Sequence, residues 1–173
     1  MKLKEAISLI HTEEIKHESP AIWADLGSGS GLFTRALSFL LPDHSLIYAV
    51  DKNLSSFKMN NVRDQVIIKQ LLSNFENDSM DLTDLDGILM ANSLHYIKEK
   101  ITFLESAKTW FRNKPVFLIV EYDREDSNPW VPYPLSFLEL NKLFTGLGFT
   151  DIKKLHEVNS VYSTGKIYSA LIR

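Results

Sequence analysis

Three glycines at alternate positions stand out in Asp25-Leu26-Gly27-Ser28-Gly29-Ser30-Gly31, which follows the apolar run Ala21-Ile22-Trp23-Ala24 and precedes the helix-like run Leu32 to Leu41. Glycine removes side chains where the backbone turns sharply from strand to helix, so a ligand can rest against bare N–H groups. The segment reads as a nucleotide-cofactor loop. Asp25 narrows that reading: a carboxylate at a strand end repels a pyrophosphate but helps to hold a ligand ammonium group, directly or through backbone and water. About twenty residues further on, where an acid is expected after a second strand, the run Ser45-Leu46-Ile47-Tyr48-Ala49-Val50 ends in Asp51, followed by Lys52 and Asn53. An acid there accepts hydrogen bonds from two vicinal ribose hydroxyls. It also suits a helix cap or a turn.

Glycine spacing separates two cofactor classes. A dinucleotide fingerprint has a third glycine three positions after the second, and Leu32 occupies that position. The form Asp-x-Gly-x-Gly-x-Gly instead resembles the first motif of the class I methyltransferases that use S-adenosylmethionine. The resemblance implies that Asp25, Gly27, Ser28, Gly29 and Gly31 pack against the methionine part of that cofactor, and that Asp51 and Lys52 meet its adenosine.

Elements able to position these residues alternate along the chain as short apolar runs and helical patterns, the mark of a parallel sheet covered on both faces. Leu3, Ala6, Ile7 and Ile10 recur at helical spacing, so residues 1–20 hold an N-terminal helix of the same domain, which either covers the cleft or packs on the sheet. Leu54 to Asn61 is expected as a short helix and Val66-Ile67-Ile68 as a third strand, followed by a loop from Leu71 to Phe75. Gly87 to Ala91 reads as a fourth strand and Lys98 to Arg112 as its crossover helix. Val116 to Val120 is the most continuous apolar run, consistent with a central strand. Leu135 to Leu147 reads as a helix ended by Gly146 or Gly148, and Phe149 to Val158 and Lys166 to Ile172 as two terminal strands flanking a polar stretch with Gly165. A closing antiparallel hairpin resembles the methyltransferase arrangement. The expected fold is an α/β, three-layer Rossmann-like sandwich with a seven-stranded, mostly parallel sheet and an antiparallel C-terminal hairpin, the methyltransferase domain covering residues 21–173.

Ligands of open α/β sheets bind beyond the carboxyl ends of the strands, which directs attention to three further segments. Asn74 and Phe75 stand where the family often contacts adenine, an amide for its edge and a ring for its face, although the family frequently has Asp at that place. In Ala91-Asn92-Ser93-Leu94-His95-Tyr96 the backbone at Ala91 and Asn92 is expected near the methionine end, with His95 and Tyr96 toward the substrate. The Asn/Asp-Pro-Pro-aromatic signature of amino methyltransferases that act on nucleic-acid bases is not present here, and Leu-His-Tyr looks more like small-molecule methyltransferases. His95 is a candidate base or a structural helix-start residue. Glu121 is a candidate base or amine ligand, or a solvated acid. Tyr122, Trp130 and Tyr133, in a stretch holding Pro129, Pro132 and Pro134, either wall a substrate pocket or anchor their loop.

Composition bounds the remaining classes. With 173 residues, 45% of them hydrophobic, the chain can bury a substantial core as one domain. A net charge of −3 without a long basic run speaks against nucleic acid as the default partner. The absence of cysteine excludes thiolate metal sites and a cysteine nucleophile, and no metal is expected. No apolar stretch reaches the roughly eighteen residues of a membrane span, so a cytoplasmic protein is expected. The leading expectation is an S-adenosylmethionine-dependent methyltransferase with a small-molecule acceptor. A catalytically silent S-adenosylmethionine-binding scaffold and an NAD(P)-dependent oxidoreductase are the alternatives.

Overall fold

Trp23, Ala24 and Leu26 are fully buried because β1 (Ile22–Leu26) lies inside the sheet, parallel to β2 (Leu46–Asp51) on one side and to β4 (Gly87–Ala91) on the other. The protein was analysed as a computed structural model, which describes residues 1–15, 18–78, 80–160 and 165–173. Beyond these strands lie β3 (Ile67–Leu72), β5 (Phe117–Asp123), β6 (Ile152–Asn159) and β7 (Lys166–Ile172), giving the order β3-β2-β1-β4-β5-β7-β6. β7 runs antiparallel to both β5 and β6. The expected α/β sheet, mostly parallel and closed by an antiparallel pair, is the one observed.

Alternation along the central strands explains the two cores. In β5, Phe117 and Ile119 join one apolar cluster while Leu118 and Val120 join the other, and β4 divides Ile88 and Met90 from Leu89 in the same way. Strands buried on both faces read as continuous apolar runs. One face is covered by α3 (Lys100–Lys108) through Leu104 and Ala107 and by α4 (Phe137–Gly146) through Leu140 and Phe144. The opposite face is covered by α1 (Leu3–Ile10) through Ala6, Leu9 and Ile10 and by α2 (Leu32–Ser38) through Ala36 and Leu37. The Ser169 hydroxyl donates to the Leu9 carbonyl at 2.5 Å, tying α1 to β7. The N-terminal segment therefore packs on the sheet through α1, while Met1 and Glu5 also border a cavity shared with Ser30, Phe33, Asn92 and Tyr122.

Several boundaries depart from the sequence expectation. Leu54 to Asn61 forms turns instead of a helix: the Asn53 side chain accepts from the Ser55 N–H at 3.0 Å, and Asn61 adopts a positive φ of 57°. Such side-chain capture of the backbone competes with helix formation. No helix follows β2 or β3 among the described residues, so the sheet is not covered by helices around β3, and Ile67 and Leu72 stay exposed. β3 runs on through Leu71 and Leu72, both expected in the following loop. β5 continues past Val120 through Glu121 and Tyr122, because β7 pairs with it as far as Asp123. The stretch between β6 and β7 includes residues 161–164, which lie outside the described ones. Among the described residues no helix is long and apolar enough to cross a membrane.

Trp23 and Gly87 are register partners across β1 and β4, and the indole lies over the glycine. A Cβ built on Gly87 would fall 2.4 Å from the ring atoms. Gly87→Ala is expected to lower stability by roughly 1–3 kcal/mol, the usual cost of overpacking a core. Thermal unfolding measures this; an unchanged melting temperature would mean that the buried indole can move aside.

Candidate active site

The glycine loop is built onto β2. The N–H groups of Gly27 and Ser28 both donate to the Val50 carbonyl, at 2.8 and 3.0 Å, and the Gly29 N–H donates to Asp51 Oδ2 at 2.8 Å. Asp51 Oδ1 accepts from the Asn53 N–H at 2.9 Å. Asp51 thus holds the loop as well as facing the cleft. Gly27 has φ +83°, and a Cβ there would lie 2.4 Å from the Cβ of Ser93, whose hydroxyl donates to the Leu26 carbonyl at 2.6 Å. Only glycine lets the loops after β1 and β4 approach so closely. Gly29 is constrained by its φ of +51° alone, because a Cβ there would meet no protein atom within 4 Å.

These loops enclose a cavity of about 510 Å³ at the carboxyl ends of β1, β2, β3 and β4. Asp25, Gly27, Ser28 and Gly29 form one side of it, and Asp51 and Lys52 lie on its wall. Asn74, Phe75, Ala91 and Asn92 also line it. Gly31 does not: it sits behind the wall at the start of α2, against the Phe57 ring. Sequence reasoning missed Phe33, Glu76, Ser93 and Ile97 on the same wall. Their neighbours in the motifs pointed to them, but no residue type did.

Asp25 is fully buried. Its Oδ2 accepts from the Thr34 hydroxyl at 2.5 Å, while Oδ1 has no partner. Burial pushes its pKa up to about 7, opposed by the Thr34 hydrogen bond and reinforced by the Asp51 charge. Ser28 Oγ and Asn92 Oδ1 are also buried without partners. Among the described residues only one other buried side-chain polar atom, Trp23 Nε1, shares that condition, so three of these orphaned atoms belong to residues on one cavity wall. Buried polar groups are seldom left unpaired. A cradle with unmet donor and acceptor capacity at β1 and β4, an acid at β2 and an amide with a ring beyond β3 fits the chemistry of S-adenosylmethionine.

Asn92, at φ +54°, also borders a second cavity of about 480 Å³, lined by His95, Tyr96, Tyr122, Arg124, Asn128, Trp130 and Val131. His95 and Glu121 are almost wholly buried and paired: Glu121 Oε2 lies 2.6 Å from His95 Nδ1, and Oε1 accepts from the His95 backbone N–H at 3.1 Å. Glu121 is therefore no solvated acid. The His95 carbonyl accepts from the Tyr133 N–H at 3.0 Å. Tyr133 itself is absent from this wall; its ring lies under the Lys100 ammonium, 5.4 Å from the ring centroid. Of the four aromatic candidates, Tyr96, Tyr122 and Trp130 line the cavity. Arg124 and Asn128 lay hidden in a run of charged and polar residues that resembles a solvated face.

No protein-family model matches the chain, and no curated protein matches its sequence. Solved structures match it over nearly its whole length. The 1,6-didemethyltoxoflavin-N1-methyltransferase of Burkholderia thailandensis, with bound 1,6-didemethyltoxoflavin and S-adenosylhomocysteine, superposes with a TM-score of 0.71 at 17% identity over 99% of this chain and 77% of that one. The chain has the class I methyltransferase fold. A complex of DhpI with SAM and HEP shares that fold at a TM-score of 0.68 and 19% identity, over 97% of this chain and 84% of the other. An S-adenosylmethionine-dependent methyltransferase from Aquifex aeolicus gives 0.64 and 17%, over 99% and 98%. In this methyltransferase fold the main cavity lies at the switch point, where the strand order reverses beside β1.

The raised Asp25 pKa has a direct consequence for stability. Between about 3.8, the value for an unperturbed aspartate, and about 7, the folded chain keeps a proton that the unfolded chain releases. Stability then falls as pH rises through this window and levels off above it. Asp25→Asn removes the titration, so it is expected to raise the melting temperature relative to the unaltered protein at pH 8 and to give no such gain at pH 3.5. Thermal unfolding at both pH values checks it; an equal effect at the two would mean that folding leaves the Asp25 pKa at its unperturbed value.

Proposed function

We propose that the protein is an S-adenosylmethionine-dependent methyltransferase acting on a small molecule. The observation that carries this reading is the clustering of unpartnered buried polar atoms from Asp25, Ser28 and Asn92 around one cavity in a methyltransferase fold. Asp25, Ser28 and the bare backbone around Gly27 and Gly29 would hold the methionine end of the cofactor, with Ala91 and Asn92 opposite. Asp51 and Lys52 would hold the ribose, and Asn74 and Phe75 the adenine. When bound, S-adenosylmethionine supplies an electrophilic methyl group and departs as S-adenosylhomocysteine.

The chain's own contribution is orientation and proton removal. A carboxylate on Nδ1 fixes the His95 tautomer with its proton on that nitrogen, so Nε2 keeps a lone pair for the cavity that His95 lines. Nε2 accepts the proton of an acceptor O–H, N–H or acidic C–H, and Glu121 stabilises the imidazolium so formed. The second hydrogen bond, from the His95 backbone to Glu121, locks the ring in place. The Burkholderia enzyme with the same fold has 1,6-didemethyltoxoflavin and S-adenosylhomocysteine bound, which supports a small acceptor here.

Two experiments test the reading. Calorimetric titration is expected to show saturable binding of S-adenosylmethionine and S-adenosylhomocysteine but not of NAD. Gly29→Arg, whose Cβ would have no protein atom within 4 Å although φ is +51°, should abolish binding by filling the cleft, at a strain cost of about 1–3 kcal/mol that leaves circular dichroism native. Binding of NAD alone would favour an oxidoreductase, and normal cofactor affinity in Gly29→Arg would dismiss the site. Once an acceptor is in hand, His95→Ala should lower kcat by about 10²- to 10⁴-fold, the range of general-base catalysis, without changing cofactor affinity. Unchanged kcat would remove His95 from the proton path.

A further inference from the structure

Arg124 carries a charge with no counterpart in the fold. It is half-buried on the wall of the second cavity, and its guanidinium makes no hydrogen bond or ion pair among the described residues. The acids that face this region are otherwise engaged or point elsewhere. Glu121 is committed to His95, and Asp123 accepts from the Phe137 N–H and pairs with Lys154 at 3.1 Å. Glu125 and Asp126 are exposed, and neither lines the cavity. A guanidinium withdrawn partly from water is stabilised by an anion, and its planar fork matches a carboxylate or phosphate through two parallel hydrogen bonds.

Trp130 supplies an independent constraint on what enters. Its side chain is 79% exposed although it borders the same cavity. Asn128 and Val131 exchange backbone hydrogen bonds of 3.1 and 3.0 Å, and Asn128 Oδ1 accepts from the N–H groups of Trp130 and Val131 at 2.8 Å each. The turn places a large, exposed apolar ring at the cavity edge, with an unpaired cation and the His95 imidazole on the same walls. An exposed aromatic ring at a cavity edge has a face free for stacking to a flat molecule.

We propose that the second cavity takes a planar, anionic small molecule as methyl acceptor, its carboxylate or phosphate bound by Arg124 and its flat face laid on Trp130. The acceptor role rests on the methyltransferase reading; the binding preference does not. Arg124 thereby selects acids over their neutral counterparts, and His95 faces the remainder of the bound molecule.

Ligand-observed NMR on the whole protein, with and without S-adenosylhomocysteine, tests this with matched pairs. The probes are 4-hydroxybenzoate against 4-hydroxybenzamide, indole-3-acetate against indole-3-acetamide, and phenyl phosphate against phenol. At least one acid is expected to bind at least tenfold more tightly than its neutral partner. Arg124→Gln should erase that difference, Arg124→Lys should keep part of it, and Trp130→Ala should weaken acid and neutral partner alike. S-adenosylhomocysteine affinity should be unchanged in Arg124→Gln, which shows that this variant is folded. Equal binding of acids and neutral partners, no binding by any probe, or acid preference that survives Arg124→Gln would overturn the proposal. If the acid preference holds but S-adenosylhomocysteine does not bind, the anion site stands and the methyltransferase reading falls.

Discussion

The sheet reverses its direction of growth beside β1, and this constraint underlies the rest of the molecule. β2 and β3 extend one way and β4 and β5 the other, so the loops leaving β1 and β4 diverge and main chain cannot fill the crevice between them. What closes its floor is a contact only glycine permits: Ser93 packs against Gly27 and donates to the Leu26 carbonyl. The Val50 carbonyl then draws the next two N–H groups toward β2. Main-chain bonding therefore shapes the cleft, and its side chains inherit their positions from that framework.

Two deeply buried carboxylates face this region under opposite terms. Asp25 meets one hydroxyl and leaves an oxygen bare, so burial dominates and favours its neutral form. Glu121 meets a ring nitrogen and a backbone N–H, one for each oxygen. Similar burial thus yields one acid with unmet capacity and one consumed in positioning its neighbour. Environment, more than residue type, sets the difference between the two carboxylates.

Much of this was legible in the sequence because it depended on local pattern. The glycine spacing, the acid ending β2 and the uninterrupted apolar runs of β4 and β5 each report their own surroundings. The features that escaped depend on what lies opposite. Gly87 matters because Trp23 crosses it, and no residue beside Gly87 announces that. Glu121 reads as the first polar residue after a strand, yet pairing with β7 carries it inward. Its contact with His95 follows from β4 and β5 being neighbours with Ala91 beside Val120, so the two chain segments beyond them emerge together. The absent helix at 54–61 was lost to Asn53, whose side chain competes for the backbone in a way that apolar spacing does not reveal.

The bare flank of the sheet has its own consequence. β3 is an edge strand, bonded to β2 alone, with no covering helix before or after it among the described residues, and it leads directly to Asn74 and Phe75. Strands with few buried contacts open locally at lower free energy than the core. The end of the cleft at Asn74 and Phe75 therefore rests on a readily opened edge of the sheet, whereas the end between β1 and β4 rests on its buried centre. A ligand long enough to span both ends would fasten that edge to the centre of the sheet.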